Sequence, residues 1–418
     1  MLDFADFELL AVELLLVASF VAIVARYLRL PYMVALVLAG LLISFGQVFD
    51  VTLSRDLLLL VFLPPLLFDA AINMDLTELR RRWDQVALLA VAGTLICAGL
   101  VAAALLVTTG LPLKHALLLA VIVAPTDPVS VLATMKEHGV SGGLRTLLEG
   151  ESIFNDALGI VLFTIALSIA FPGAGESHGW RYALREFAQQ VSVGVAVGAA
   201  GGYAIHRLMR LLDDYLVEIT LSVTLAFGAF LVADRLGGSG VIAVVIGGLL
   251  IGNYGTRRAM SAASHRVMVE FWEIVAFLNN SALFLLIGLQ FDRGSFNERA
   301  TLVATVVAVL SLLAARAAAV YGLLLPFRRL RAGRRVIVSW QHALYWGGLR
   351  GSIPVALALG LETTQRTLDG VDAVAVVFGV VLVSLLLQGL TFSPLLRRLG
   401  LQHPRSSPAV PVPAAGDR

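Results

Sequence analysis

The sequence predicts an all-α membrane protein of 13 transmembrane helices, with the N-terminus outside and the C-terminus inside. Composition, recurring apolar runs and the distribution of positive charge together predict it. Of the 418 residues, 58% are hydrophobic and 14% charged, whereas a soluble domain carries about 25% charged residues. A water-soluble fold could not hide that much apolar surface, so lipid must be the solvent. Apolar stretches place spans at 8–25, 32–48, 57–74, 84–108, 113–134, 148–171, 183–206, 215–233, 238–253, 267–290, 300–325, 336–360 and 371–396. A helix needs about 20 residues to cross the hydrocarbon, and helices satisfy their own backbone there.

With the N-terminus outside, 21 of the 31 Lys and Arg fall on inner connections and 8 on outer ones, while Arg316 and Arg350 lie inside spans. That bias is the positive-inside pattern, and an even number of spans would spoil the alternation. The acidic start (Asp3, Asp6, Glu8) and the missing Ala-x-Ala-like site do not read as a cleaved signal peptide. Residues 1–398 form the membrane domain, and the Pro-, Ser- and Ala-rich segment 399–418 is expected to be a disordered cytoplasmic tail. Cys97 is the single cysteine, so neither a disulfide framework nor a thiolate metal site is expected.

Asp69, Asp127, Glu151, Asp156, Arg316 and Arg350 are ionisable residues inside spans. Each costs at least about 2.5–3.5 kcal/mol at mid-membrane, so each should be paired, hydrated or functional. Counting from the inner ends of the fifth and sixth spans puts Asp127 and Asp156 at matching depth, with Asp69 able to join them. Ser152, Asn155 and Asp156 are spaced i, i+3, i+4 and share one helix face. Their hydroxyl, amide and carboxylate oxygens suit a hard cation rather than a transition metal.

Two spans are interrupted. Pro125 and Pro128 flank Thr126 and Asp127 in the fifth and should unwind it. Freed carbonyls at that depth would line a cavity. The twelfth reads Gly347-Gly348-Leu349-Arg350-Gly351-Ser352-Ile353-Pro354. The two are seven apart in span order, an odd number, so they cross in opposite directions. Paired interruptions of this kind mark the binding site of a transporter built from inverted-topology repeats.

The segments Leu63-Pro64-Pro65-Leu66-Leu67-Phe68-Asp69, Thr126-Asp127-Pro128, Gly150-Glu151-Ser152-Ile153-Phe154-Asn155-Asp156 and Gly347-Gly348-Leu349-Arg350-Gly351 resemble those of sodium/proton antiporters of the NhaP and eukaryotic NHE branch. The resemblance implies a core ion-transport bundle (57–171 and 300–396), a dimerisation part (8–48 and 215–290) and a linking helix (183–206). It implies Asp156 as the essential ion- and proton-carrying group, with Asp127, Ser152, Thr126 and, more remotely, Asp69 around the ion. It implies that Glu151 and Arg316 form a structural pair. The implied partners are Na+ and H+, the lipid bilayer and a second copy in a homodimer, with no cofactor beyond the transported ions and no nucleic acid. The implied place and role are the plasma membrane and pH homeostasis.

Sodium, possible also as lithium, would bind deprotonated Asp156 and be displaced by a proton, with the site opening alternately to each side. Electrogenic relatives carry a second aspartate where this chain has Asn155, and a membrane lysine. One titrating carboxylate implies electroneutral 1:1 exchange. Potassium/proton exchange is the alternative within this class. A cation channel and an intramembrane serine protease are remoter; the latter rests on Gly237-Gly238-Ser239-Gly240 with His342 three spans later.

Overall fold

The protein is described from a computed structural model over residues 4–28, 30–45, 57–171, 180–211, 214–255, 260–290, 298–329 and 334–402. It is built of helices: α1 (Phe4–Leu28), α2 (Tyr32–Ser44), α3 (Leu63–Asn73), α4 (Leu76–Arg81), α5 (Trp83–Ala87), α6 (Thr94–Thr109), α7 (Leu113–Val123), α8 (Val129–Glu137) and α9 (Gly142–Ala170) come first. Then follow α10 (Trp180–Met209), α11 (Tyr215–Arg235), α12 (Gly240–Leu250), α13 (Ala262–Leu289), α14 (Arg299–Leu323), α15 (Val338–Trp346), α16 (Ser352–Leu359), α17 (Ala373–Ser384) and α18 (Leu390–Arg398). π-helical turns over Leu88–Gly93 and Leu385–Gly389 join α5 to α6 and α17 to α18 without a break, while Leu57–Phe62 leads directly into α3 and Ile251–Gly255 directly follows α12. Pro64 and Pro65 are the second and third residues of α3, directly after the π-helical turn Leu57–Phe62.

Over the described residues, each predicted span coincides with helix, the fifth and twelfth broken at 124–128 and 347–351; residues 46–48 of the second lie outside the described residues. Among the described residues, six helices are long and apolar enough to cross a membrane, and Tyr32–Ser44, Leu57–Asn73, Leu113–Val123 and Gly240–Asn253 are shorter apolar ones. The outer surface is apolar too: Phe20, Ile23, Leu42 and Leu310 are 65%, 70%, 69% and 62% exposed. Side chains like these in such numbers belong against lipid, not water.

Three features depart from the hydropathy pattern. Helix α9 begins at Gly142, six residues before the apolar run that defined its span. Hydropathy locates the part of a helix that lies in lipid, and α9 extends beyond it over residues 142–147, Arg145 among them. The connection after the third span is itself helical: Asp75 caps α4 by accepting from Thr77 N (2.7 Å) and Glu78 N (3.3 Å). Its Arg82 is buried rather than solvated, donating to Glu78 (2.6 Å) and lying 5.0 Å from the Trp340 ring. Finally, a two-stranded hairpin, β1 (Thr367–Leu368) with β2 (Val371–Asp372), precedes α17. Its Asp369-Gly370 turn has φ of 46° and 80°, the backbone that an Asp-Gly hairpin turn requires.

Basic residues gather at one end of the bundle. There Gln85 donates to the Arg334 carbonyl (2.6 Å), Arg334 pairs with Asp84, and Ser393 bonds His138 (3.2 Å). The hairpin lies at the opposite end, where His115 at the start of α7 meets Asp369 (2.5 Å). Residues 403–418 of the expected tail lie outside the described residues.

Candidate functional site

The two interruptions form as the sequence predicts, and they meet. Residues 124–128 separate α7 from α8, and residues 347–351 separate α15 from α16. Asp127 N donates to the Leu349 carbonyl at 2.8 Å, so the two unwound segments share a backbone hydrogen bond. The Asp127 carboxylate accepts from Val129 N (3.2 Å), Ser352 N (3.1 Å) and Ser352 Oγ (3.2 Å). It therefore lies at the N-termini of α8 and α16 at once, where both half-helices present their positive ends. All three partners are donors, as an ionised carboxylate needs.

This arrangement depends on Gly351. A Cβ there would stand 2.2 Å from Asp127 Oδ2, and one at Gly348 would stand 2.6 Å from Arg316 Nε. The glycines of the second interruption thus make room for charged side chains, which is a tighter demand than helix packing alone.

Helix α9 supplies the facing wall. Asn155 spends both ends of its amide on Thr126: Nδ2 donates to Oγ1 (2.7 Å) and Oδ1 accepts from Thr126 N (3.3 Å). Ser152 Oγ donates to the Thr126 carbonyl (2.8 Å). The unwound segment is thereby tied to α9 by three bonds through a single residue. Asp156 is 7% exposed, and its Oδ1 has no hydrogen-bond partner among the described residues.

A cavity with about 470 Å³ of empty space joins these groups; Asp127, Ser152, Asp156, Ser352 and Glu149 supply its polar lining, and leucines such as Leu63 and Leu132 much of the rest. Asp156, Asp127 and Ser152 are thus brought together. Thr126 and Asn155 are buried behind the wall, bonded to each other. Asp69 is half-buried and does not line the cavity; Asn73 Nδ2 donates to its Oδ1 (3.0 Å), one residue before the lining Ala70.

Glu149 and Ser352 were not singled out from the sequence. At about 100° per residue, Glu149 and Asp156, seven apart, point within about 20° of each other. Asn155 and Asp156, adjacent in sequence, diverge by about 100°. Helical spacing therefore carried the signal for Glu149.

Behind the cavity, Glu151 (1% exposed) and Arg316 (3%) form a bidentate pair, and Arg316 Nη2 also donates to the Leu344 carbonyl (3.0 Å). Arg350 is buried at the second interruption, its backbone N donating to Ser384 Oγ (3.0 Å) and its Nη1 to the Gly348 carbonyl (3.3 Å). Ser239 caps α12 by accepting from Ile242 N (3.3 Å), and His342 bonds Tyr321 (2.6 Å). Among the described residues, no hydrogen bond joins that serine to that histidine. Among the described residues, no group of three or more His, Cys, Asp or Glu could hold a metal ion.

The sodium/hydrogen exchanger, transmembrane, family matches residues 15–398. The chain is 38% identical over 376 residues to the low-affinity Na(+)/H(+) antiporter NhaS1 of Synechocystis, covering 89% of this chain and 70% of that protein. It is 39% identical over 388 residues to the Na(+)/H(+) antiporter ApNhaP of Aphanothece halophytica, covering 92% and 73%. Among solved structures, the sodium proton antiporter MjNhaP1 of Methanocaldococcus jannaschii shares the fold with a TM-score of 0.74 at 22% identity, over 93% of this chain and 97% of that one.

Proposed function

Because the chain belongs to the sodium/hydrogen exchanger family, we propose that it exchanges sodium, and lithium, for protons one for one by alternating access, with Asp156 as the shared carrier. It is a multi-pass integral membrane protein and a sodium/proton antiporter; its relatives are secondary transporters, not enzymes. The family does not favour the potassium, channel or protease alternatives.

One observation carries the assignment to Asp156. Asp156 lines a cavity with Ser152, Asp127 and Ser352, and its buried Oδ1 has no hydrogen-bond partner among the described residues. An unpaired buried charge is costly, and a sodium ion or a proton on that oxygen removes the cost in turn. Two cations that relieve the same group compete for it. Asn155 supports one-for-one exchange because its amide is spent on Thr126 and supplies no second titrating group.

Positive charge at the α8–α9 end supports an inward-facing mouth there, with the N-terminus outside and the C-terminus inside. We assign α3–α9 and α14–α18 to the moving core. Helices α1, α2 and α11–α13 form the dimerisation part, and α10 links the two.

Proteoliposomes test this. Sodium added outside should drive proton movement at a rate that does not change with imposed membrane potential. Asp156→Asn should reduce it to background. A rate that climbs with potential would overturn one-for-one exchange, and exchange retained by Asp156→Asn would move the carrier elsewhere.

A further inference from the structure

We infer that Glu149 is the capture group of the inner mouth, the first carboxylate that binds the incoming cation on its way to Asp156. The inference rests on the exchange proposed above and adds a residue to it. Glu149, Ser152 and Asp156 all line the one cavity. They climb a single face of α9 in steps of three and four residues, about 4.5 and 6 Å along the axis. An ion passing them exchanges water for protein oxygens one rung at a time.

The surroundings of Glu149 suit capture rather than a fold-holding bond. Its side chain is only 11% exposed, yet its one ion pair is a long contact of 3.8 Å to Arg145 Nη2, one turn earlier on the same helix. That exceeds hydrogen-bond reach, so the acceptor capacity of the carboxylate remains open. Compare the other acidic groups nearby. Glu273 is spent on Lys136 at 2.7 Å, and Asp69 accepts from Asn73. Glu151, two residues on, faces away and is bidentate with Arg316. Glu149 is the carboxylate at the mouth that both lines the cavity and lacks a close donor among the described residues.

Attraction of this kind acts on how readily the ion arrives. Its loss appears in the sodium dependence of transport, not in the turnover of an occupied site. Inside-out vesicles present the mouth to the added sodium. There, Glu149→Gln should raise the half-saturating sodium concentration about three- to tenfold, with the maximal rate largely kept. Glu149→Asp should restore most of the affinity. Arg145→Gln, which unmasks the carboxylate, should lower half-saturation. Choline chloride should shrink both differences, because screening weakens a steering charge. An unchanged half-saturation in Glu149→Gln would overturn the inference. If that variant does not accumulate, an unchanged or raised value in Arg145→Gln would overturn it instead. A parent protein without sodium-driven proton movement would sink the proposed exchange itself; an active parent with an indifferent Glu149→Gln would sink only the capture role.

Discussion

Asp127 and Asp156 border one cavity, yet their surroundings differ in kind. Asp127 sits in an unwound segment and accepts three hydrogen bonds, two of them from the first amides of α8 and α16. Asp156 sits on an intact helix and leaves Oδ1 unpartnered. The first carboxylate is a structural charge that holds two half-helices together. The second has capacity to spare, which a transported ion can use. In the proposed exchange, the first charge is fixed by the fold and the second is left to meet the cargo.

Neutral replacements should separate the two most widely. Asp156→Asn removes a buried charge whose Oδ1 has no partner among the described residues, so the melting temperature in detergent should hold or rise as exchange vanishes. Asp127→Asn weakens bonds at two helix N-termini and should lower stability by about 1–3 kcal/mol along with exchange. Equal thermal behaviour of the two variants would erase the distinction. Gly351→Ala is the next largest effect. Its Cβ would meet Asp127 Oδ2 at 2.2 Å, and displacement of that carboxylate should cost about 1–3 kcal/mol. Sodium affinity should fall with it even though Asp156 is untouched; unaffected transport would mean that Asp127 need not be fixed. Ser152→Ala should do least. It deletes one cavity oxygen and one bond to the Thr126 carbonyl, worth about 1 kcal/mol, or a few-fold rise in half-saturating sodium. A complete loss would promote Ser152 to the level of Asp156. Acidification should sharpen the whole series: with a proton competing for Asp156, half-saturating sodium should rise by up to about tenfold per pH unit in the parent protein. Indifference to pH would argue against a shared carboxylate.

Much of this was legible in the sequence because its causes are local. Apolar runs of the right length gave the spans, and Pro125, Pro128 and the glycines at 347, 348 and 351 gave both interruptions. Asp-Gly at 369–370 was an equally local sign of a hairpin, but it lay in a short connection that hydropathy passes over. The roles within the site were less legible. Ser152, Asn155 and Asp156 do share a broad face, but the unwound segment of another helix claims half of it. Asn155 consequently binds Thr126 while Asp156 meets the cavity, and spacing on α9 alone cannot say which half is which. Arg82 shows the same limit. Three consecutive arginines read as a solvated loop, yet the third is buried by Glu78 and Trp340, which only the fold brings near.

The small hairpin before α17 has a mechanical consequence. Asp369 in its turn holds His115 at the first turn of α7. Asp372 at its end accepts from Ala375 in α17 and its N–H donates to Thr301 in α14. Three helices are thus riveted together at the end farthest from the cavity mouth. A lever fixed at one end cannot fan out there. A rearrangement that kept these bonds would carry α7, α14 and α17 as one block.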